Sequence, residues 1–167
     1  DLSEFLGMLS LFNKPVFDFD EKYMTINEEG TSTKSKYYFA DESILTTPQK
    51  DVKMPATEVE FTLTETDLTK IKKAAAMLQL PDIAVKSVGS DIMMSAIDKK
   101  NDTANTYDIK VGETNKKFEF HFKTEHFKML PGDYTVMISS KLISNFRHKN
   151  KTVQYWIALE NTSKYEG

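Results

Sequence analysis

Residues 58–80 read EVEFTLTETDLTKIKKAAAMLQL and join an alternating strand to the longest helical pattern of the chain. Phe61 and Leu63 alternate with polar residues, as on a half-buried strand. From residue 64 to 80 the apolar spacing becomes helical, and Pro81 follows the end of the pattern. The predicted buried face of the helix carries Leu68, Ile71, Ala75 and Leu78. This stretch therefore predicts a strand followed by an amphipathic helix.

The same pattern returns later in the chain. Residues 118–122, FEFHF, alternate as a strand, and residues 124–130 predict a short helix that ends at Pro131. Placing residues 61–71 on 120–130 makes four apolar pairs coincide: Phe61 with Phe120, Leu63 with Phe122, Leu68 with Phe127, and Ile71 with Leu130. Three predicted strands follow each helix. The repeat indicates a duplicated unit of one strand, one helix and three strands.

The N-terminal part has the same order without the first strand. Residues 2–12 predict a helix, and three antiparallel strands follow it up to residue 40. The apolar stripe of this helix carries Leu2, Phe5, Leu6 and Leu9. Residues 43–56 contain two prolines and no sustained periodicity, so we expect an extended linker there. These patterns predict an α+β fold with helices on one face of antiparallel sheets.

Composition limits the classes of protein that fit this chain. It has 167 residues, no cysteine, and a net charge of −3. No apolar run approaches the ~20 residues that a membrane helix needs, and we expect a cytoplasmic protein. Because Asp1 is not an initiator methionine, we expect the natural chain to begin upstream. A net negative charge permits nucleic-acid binding only where basic residues gather on one surface.

Candidate catalytic residues are few. His121 and His126 are five residues apart, which does not suit two metal ligands on one helix face. Asp18 and Asp20 share a strand face, and a solvated outer surface explains them as well as a cation or acid/base site does. The sequence has no phosphate-binding glycine loop and no nucleophile elbow. We expect no catalytic residue, no metal site and no cofactor.

Lysines on the predicted helices are more informative. Lys70 and Lys73 project from the side of the long helix opposite its apolar face, and Lys72 lies at a flank. Lys123 and Lys128 avoid the apolar side of the predicted short helix, and residues 147–151 form a basic loop. An ordinary solvated face and a surface for a polyanion both fit this pattern.

Three segments, in order along the chain, resemble DNA sliding clamps of the T-even-like bacteriophage type. They are the helix DLSEFLGMLSL at residues 1–11, the turn FKMLPGDY at 127–134, and the strand YWIALE at 155–160. The resemblance covers essentially the whole chain. It implies a processivity factor without enzymatic activity, in which residues 1–42 are the second half of a first clamp domain. Residues 43–56 would be the interdomain linker and 57–167 a complete second domain.

The resemblance also implies partners and contact residues. Three full-length subunits would close into a ring around duplex DNA, while this piece of chain would form an atypical dimer through its incomplete half domain. A clamp-loader ATPase and a DNA polymerase would be the protein partners. The expected DNA-facing residues are Lys70, Lys72, Lys73, Lys123, Lys128, Arg147, Lys149 and Lys151. The expected site for a polymerase peptide comprises Val52, Met54, Pro55, Tyr155 and Ile157. The alternative is a β-rich phage or bacterial assembly domain without DNA binding.

Overall fold

The computed structural model describes residues 2–44 and 51–167, and the chain forms two compact units, residues 1–50 and 51–167. No helix in the described part is long and apolar enough to cross a membrane. Part of the predicted linker, residues 45–50, lies outside the described residues.

The first unit is a helix followed by a three-stranded meander. Its elements are α1 (Leu2–Leu9), β1 (Pro15–Phe19), β2 (Tyr23–Glu28) and β3 (Lys34–Tyr38), with a short 3-10 turn at Glu42–Ile44. The strands are antiparallel in the order β1-β2-β3. Helix α1 is shorter than the predicted 2–12, because residues 11 and 12 make tighter backbone hydrogen bonds to Met8 and Leu9.

The core of the first unit is small. Phe12, Met24 and Ile26 are buried, and partly buried side chains pack around them: Phe5, Met8, Leu9 and Tyr37. Leu6, which we predicted on the apolar stripe, is instead 54% exposed, while the side chain of Leu2 lies outside the described part. Only part of the predicted stripe therefore packs on this sheet.

The second unit contains the predicted repeat twice, with a 3-10 turn in place of the helix in the second copy. The first copy is β4 (Val59–Leu63), α2 (Glu65–Met77), β5 (Asp82–Val88), β6 (Asp91–Ile97) and β7 (Tyr107–Glu113). The second is β8 (Phe118–Lys123), a 3-10 turn (Thr124–His126), β9 (Tyr134–Ser139), β10 (Ile143–His148) and β11 (Gln154–Ala158). A two-residue strand, β12 (Lys164–Tyr165), follows.

The two copies exchange their first strands. Strand β4 joins the sheet β11-β10-β9-β4, and β8 joins the sheet β12-β8-β5-β6-β7. The registers agree with the predicted repeat, since Phe61 pairs with Val136 and Phe120 pairs with Val85. Both sheets contribute to one buried core, which includes Phe61, Phe120 and Phe146. The predicted α+β class is therefore confirmed.

Helix α2 begins and ends by local rules. The Thr64 hydroxyl accepts the backbone N–H of Asp67 and caps the first turn. Leu68, Ile71 and Ala75 are buried as predicted, but Leu78 is 38% exposed at the C-cap. The chain reverses through Gln79 at a φ of 54°, so the helix is shorter than the predicted 64–80.

The short helix predicted at 124–130 is wrong. Only Thr124–His126 turn, as a 3-10 helix, and the chain then extends toward Pro131. Met129 is buried whereas Leu130 is 45% exposed, so Leu130 is not the counterpart of Ile71. Proline disfavours helical geometry in the residue before it, and seven residues are too few for a helix to form without other support.

Candidate functional site

The outward face of α2 is basic. Lys70 and Lys73 are exposed on the side opposite the buried Ile71, and Lys72 is half-buried at the flank. The acids of α2, Glu65 and Asp67, are confined to its first turn. In the described part of the chain, no ion pair involves the three lysines. Their charge is therefore available to a ligand in solvent.

A groove connects α2 with the segment before Pro131. Its volume is about 170 Å³, and it is lined by Leu68, Thr69, Lys72, Lys73, Met129 and Pro131. Lys128 is exposed and directly precedes the buried Met129. The structure therefore brings the segment that carries Lys128 beside the flank of α2, although the two are far apart in sequence.

Lys123 does not belong to this surface, because it ends strand β8 and is not on a helix. Its ammonium donates to Oδ1 of Asp82 at 2.9 Å, and Lys99 lies 3.4 Å from the same oxygen. Burial alone would raise the pKa of the Asp82 carboxyl, but the hydrogen bond from Lys123 and the charge of Lys99 hold that pKa below its usual range. Glu160 completes the cluster, 3.1 Å from Lys99.

The basic loop lies on another face. Arg147 alternates on β10 with the buried Phe146 and His148, so its side chain leaves the sheet on the side away from the core. The Lys149 ammonium donates to the hydroxyl of Thr62 at 3.0 Å, and Thr62 also points away from the core between buried neighbours on β4. Arg147 and Lys149 therefore do not share the outward face of α2.

The two predicted histidines occupy different environments, and His121 has structural partners. Nδ1 of His121 is 2.9 Å from the hydroxyl of Thr162, and Nε2 is 3.1 Å from the Glu119 carboxylate. His126 is exposed at the end of the 3-10 turn, and Asp18 and Asp20 lie on exposed backbone at the end of β1. Among residues 2–44 and 51–167, no group of three potential ligands could hold a metal ion.

The predicted peptide site requires Tyr155 and Ile157 to face outward from strand β11, but both pack against the core. Tyr155 packs against the core, and its hydroxyl accepts the backbone N–H of Leu130 at 3.2 Å. Ile157 is 6% exposed and also belongs to the core. Trp156 and Ala158 alternate with them and face outward. A cavity of about 510 Å³ lies along the strand and is lined by residues 154–158 together with His126.

The linker residues end at a firm anchor. Val52 and Pro55 are exposed and Met54 is half-buried. The Glu58 carboxylate accepts the backbone N–H and the hydroxyl of Ser140, both at 2.9 Å. Burial would raise the pKa of the Glu58 carboxyl, but these bonds hold it below its usual value. The sequence contained no short-range signal for this contact, because 82 positions separate the partners.

Solved structures identify the fold. The PCNA2-PCNA3 complex from Sulfolobus tokodaii matches with a TM-score of 0.58 at 15% identity, over 96% of this chain and 71% of that one. The DNA polymerase III subunit beta DnaN sliding clamp from Bartonella birtlesii matches with a TM-score of 0.55 at 10% identity, over 89% of this chain and 42% of that one. The repeated strand-helix-strand units therefore have the sliding-clamp fold.

Sequence comparison identifies the family. The family model described as gp45 sliding clamp, C terminal, matches residues 60–161. The sliding clamp of Vibrio phage KVP40 is 36% identical over 96% of this chain and 74% of that protein. The sliding clamp of Enterobacteria phage T4 is 25% identical over 99% of this chain and 75% of that protein. The chain belongs to the gp45 sliding clamp family, and the predicted resemblance is confirmed.

Proposed function

We propose that the protein is a DNA sliding clamp that encircles duplex DNA and tethers a replicative polymerase, without chemistry of its own. The observation that carries the proposal is the basic face of α2, whose lysines form no ion pair with any described residue, in a chain of net charge −3. Charge segregated in this way lets an acidic protein hold a polyanion on one surface. Membership of the gp45 family supports the same function and disfavours an assembly domain without DNA binding.

The DNA-facing residues that we propose are Lys70, Lys72, Lys73 and Lys128. Three belong to α2, and the fourth belongs to the segment beside it. Lysine contacts to phosphate oxygens carry no sequence information, so binding through them is independent of sequence. We exclude Lys123 from the DNA-facing residues because its ammonium is bound to Asp82. We exclude Arg147 and Lys149 because their side chains lie on another face. Lys151 is excluded as well, because it lines the same cavity as Arg147.

For the polymerase peptide we propose the outward side of β11, with Trp156 and Ala158 replacing Tyr155 and Ile157. Trp156 is half-buried on the face away from the core and lines the adjacent cavity. Aromatic residues of this kind dominate peptide and protein interfaces. Val52, Met54 and Pro55 stay in the proposed site because they precede the anchored Glu58 on a partly exposed segment.

We also propose a domain organisation, an assembly and a cellular location for the protein. Residues 1–42 correspond to the second unit of a first clamp domain, since one helix followed by three strands reproduces α2 with β5 to β7. Residues 43–56 are the interdomain linker and 57–167 the second domain. Complete subunits form a homotrimeric ring that a clamp-loader ATPase opens, and the protein acts in the cytoplasm of the host cell. The 167-residue chain by itself would form an atypical dimer.

The decisive experiment changes Lys70, Lys73 and Lys128 together to glutamate in the ring-forming protein. We expect clamp-dependent polymerase processivity to fall on every template, with folding intact by circular dichroism. Each lost phosphate contact should flatten the log–log salt dependence of DNA association by about 0.9. The matched control changes three other lysines together to glutamate, all of them exposed on loops or strands: Lys100, Lys141 and Lys164. Equal processivity of the two triple variants would refute the proposed DNA-facing surface.

A further inference from the structure

The loop between β10 and β11 surrounds an open cavity of about 340 Å³. Residues 147, 148 and 151–154 line it: Arg147, His148, Lys151, Thr152, Val153 and Gln154. The cavity lies at the end of β10, where the exposed Arg147 and the buried His148 both border it. Its lining shares no residue with the groove beside α2.

The lining contains two cations and no acid. Across the described ranges, neither the Arg147 guanidinium nor the Lys151 ammonium forms an ion pair. The carboxylate of Asp133 is near in the fold but already accepts the backbone N–H of Glu65 at 2.8 Å. Lys149 points elsewhere, toward Thr62. An unneutralised pair of cations in a concave site favours an anion.

The loop is held in shape before any ligand arrives. The backbone N–H of His148 donates to the carbonyl of Val153 at 3.0 Å, and that of Val153 donates to the carbonyl of Lys151 at 2.8 Å. Nδ1 of His148 accepts the backbone N–H of Asn150 at 3.0 Å, and the backbone N–H of Lys149 donates to the carbonyl of Asp133 at 2.8 Å. A loop ordered in advance loses little entropy when it binds.

We propose that this cavity binds a phosphate group. A guanidinium offers a planar pair of donors that matches phosphate oxygens, and a lysine adds a point charge. The Thr152 hydroxyl and the Gln154 amide provide neutral donors at the same site. The volume lies at the lower end of the range for small-ligand sites, so the phosphate can carry an attached organic group.

The test is an NMR titration of the full 15N-labelled chain. Inorganic phosphate, adenosine 5′-monophosphate and adenosine are added at constant ionic strength, with chloride as the compensating salt. We expect saturable shifts of the Thr152, Val153 and Gln154 amides with both phosphates and none with adenosine. Tighter binding of the nucleotide than of inorganic phosphate would assign a nucleotide ligand, and equal binding would assign free phosphate. Adenosine binding as well as its monophosphate would overturn the proposal.

Paired variants provide the control. Arg147→Gln with Lys151→Gln should weaken phosphate binding at least tenfold while the circular dichroism spectrum stays unchanged. Lys100→Gln with Lys164→Gln removes two cations from a different cavity, which also contains Glu119, and should leave binding unchanged. Equal weakening in both pairs, or shifts that grow linearly without saturation, would identify general electrostatic attraction and overturn the proposed site.

Discussion

The ammonium of Lys123, at the end of β8, lies 2.9 Å from Oδ1 of Asp82, at the start of β5. The Asp82 residue is 1% exposed, so its charge depends on this contact and on Lys99 at 3.4 Å. A buried carboxylate without a cation would lose its hydration energy, and no attraction to a partner would compensate for that loss. Lys123 therefore stabilises the fold and does not have a free charge for DNA.

We expect Asp82→Asn to lower the free energy of unfolding by roughly 1.5–3 kcal/mol, because hydrogen bonds to charged groups contribute about that much. The substitution keeps the size of the side chain but removes its charge. Urea denaturation followed by circular dichroism measures the loss. Asp91→Asn is the matched control, since it breaks a surface ion pair with Lys110 and should cost much less. Equal losses would argue against a structural role for the buried cluster.

The same carboxylate predicts a pH dependence. The pKa of Asp82 is lower in the folded chain than its ordinary value of about 3.9, so the carboxylate stabilises the fold above about pH 4. That contribution is lost as the pH falls through the folded-state pKa. Unfolding free energies measured between about pH 6 and pH 3 should therefore fall more steeply in the native chain than in Asp82→Asn. Parallel curves would contradict the prediction.

Gly132 should not tolerate a side chain. Its φ is 144°, and a Cβ at this position would lie 2.2 Å from Nε2 of His148. We expect Gly132→Ala to destabilise the chain by at least about 2 kcal/mol through strain and overlap. Gly7→Ala is the control, because no atom lies within 4 Å of the added carbon and alanine favours helices. Thermal denaturation compares the two, and similar midpoints would refute the prediction.

Substitutions on the two faces of β11 should affect different properties: peptide binding at Trp156 and stability at Tyr155. We expect Trp156→Ala to weaken the binding of a polymerase-derived peptide by about 2 kcal/mol, because large aromatic side chains contribute that much at interfaces. The stability of the chain should change little. Tyr155→Phe should instead cost about 1 kcal/mol of stability, because it removes the hydroxyl that accepts the N–H of Leu130. Calorimetric titration and urea denaturation measure the two effects. Peptide affinity reduced by Tyr155→Phe alone would reverse our assignment of the faces of β11.

The salt dependence of DNA association should distinguish the two basic surfaces. Changing Lys70 and Lys73 to glutamine in the ring-forming protein should flatten the log–log slope by about 1.8, since each phosphate contact contributes about 0.9. Changing Arg147 and Lys149 should leave the slope unchanged, because these side chains lie on another face. Fluorescence anisotropy across a salt series gives both slopes. A larger change for the second pair would relocate the DNA surface.

Local pattern was enough to predict much of this fold. The alternation around Phe61 and Phe120 predicted strands β4 and β8, and the helical spacing from Leu68 to Ala75 predicted α2. Both predictions succeeded because the period of apolar residues depends only on neighbours along the chain. The short helix after β8 failed for a local reason too: Pro131 limits the preceding chain. The exposed positions of Lys70 and Lys73 also follow from spacing on one helix.

The sequence by itself determined the repeated unit, its helix-borne lysines and the family it resembles. Only the tertiary structure decided that β4 and β8 exchange sheets, and that Lys123 is bound to Asp82 across 41 positions of chain. It also decided which side of β11 faces the core, through the contact of Tyr155 with Leu130. The physical reason is that pairing of distant strands and charges depends on the completed fold, whereas periodicity depends on neighbours along the chain.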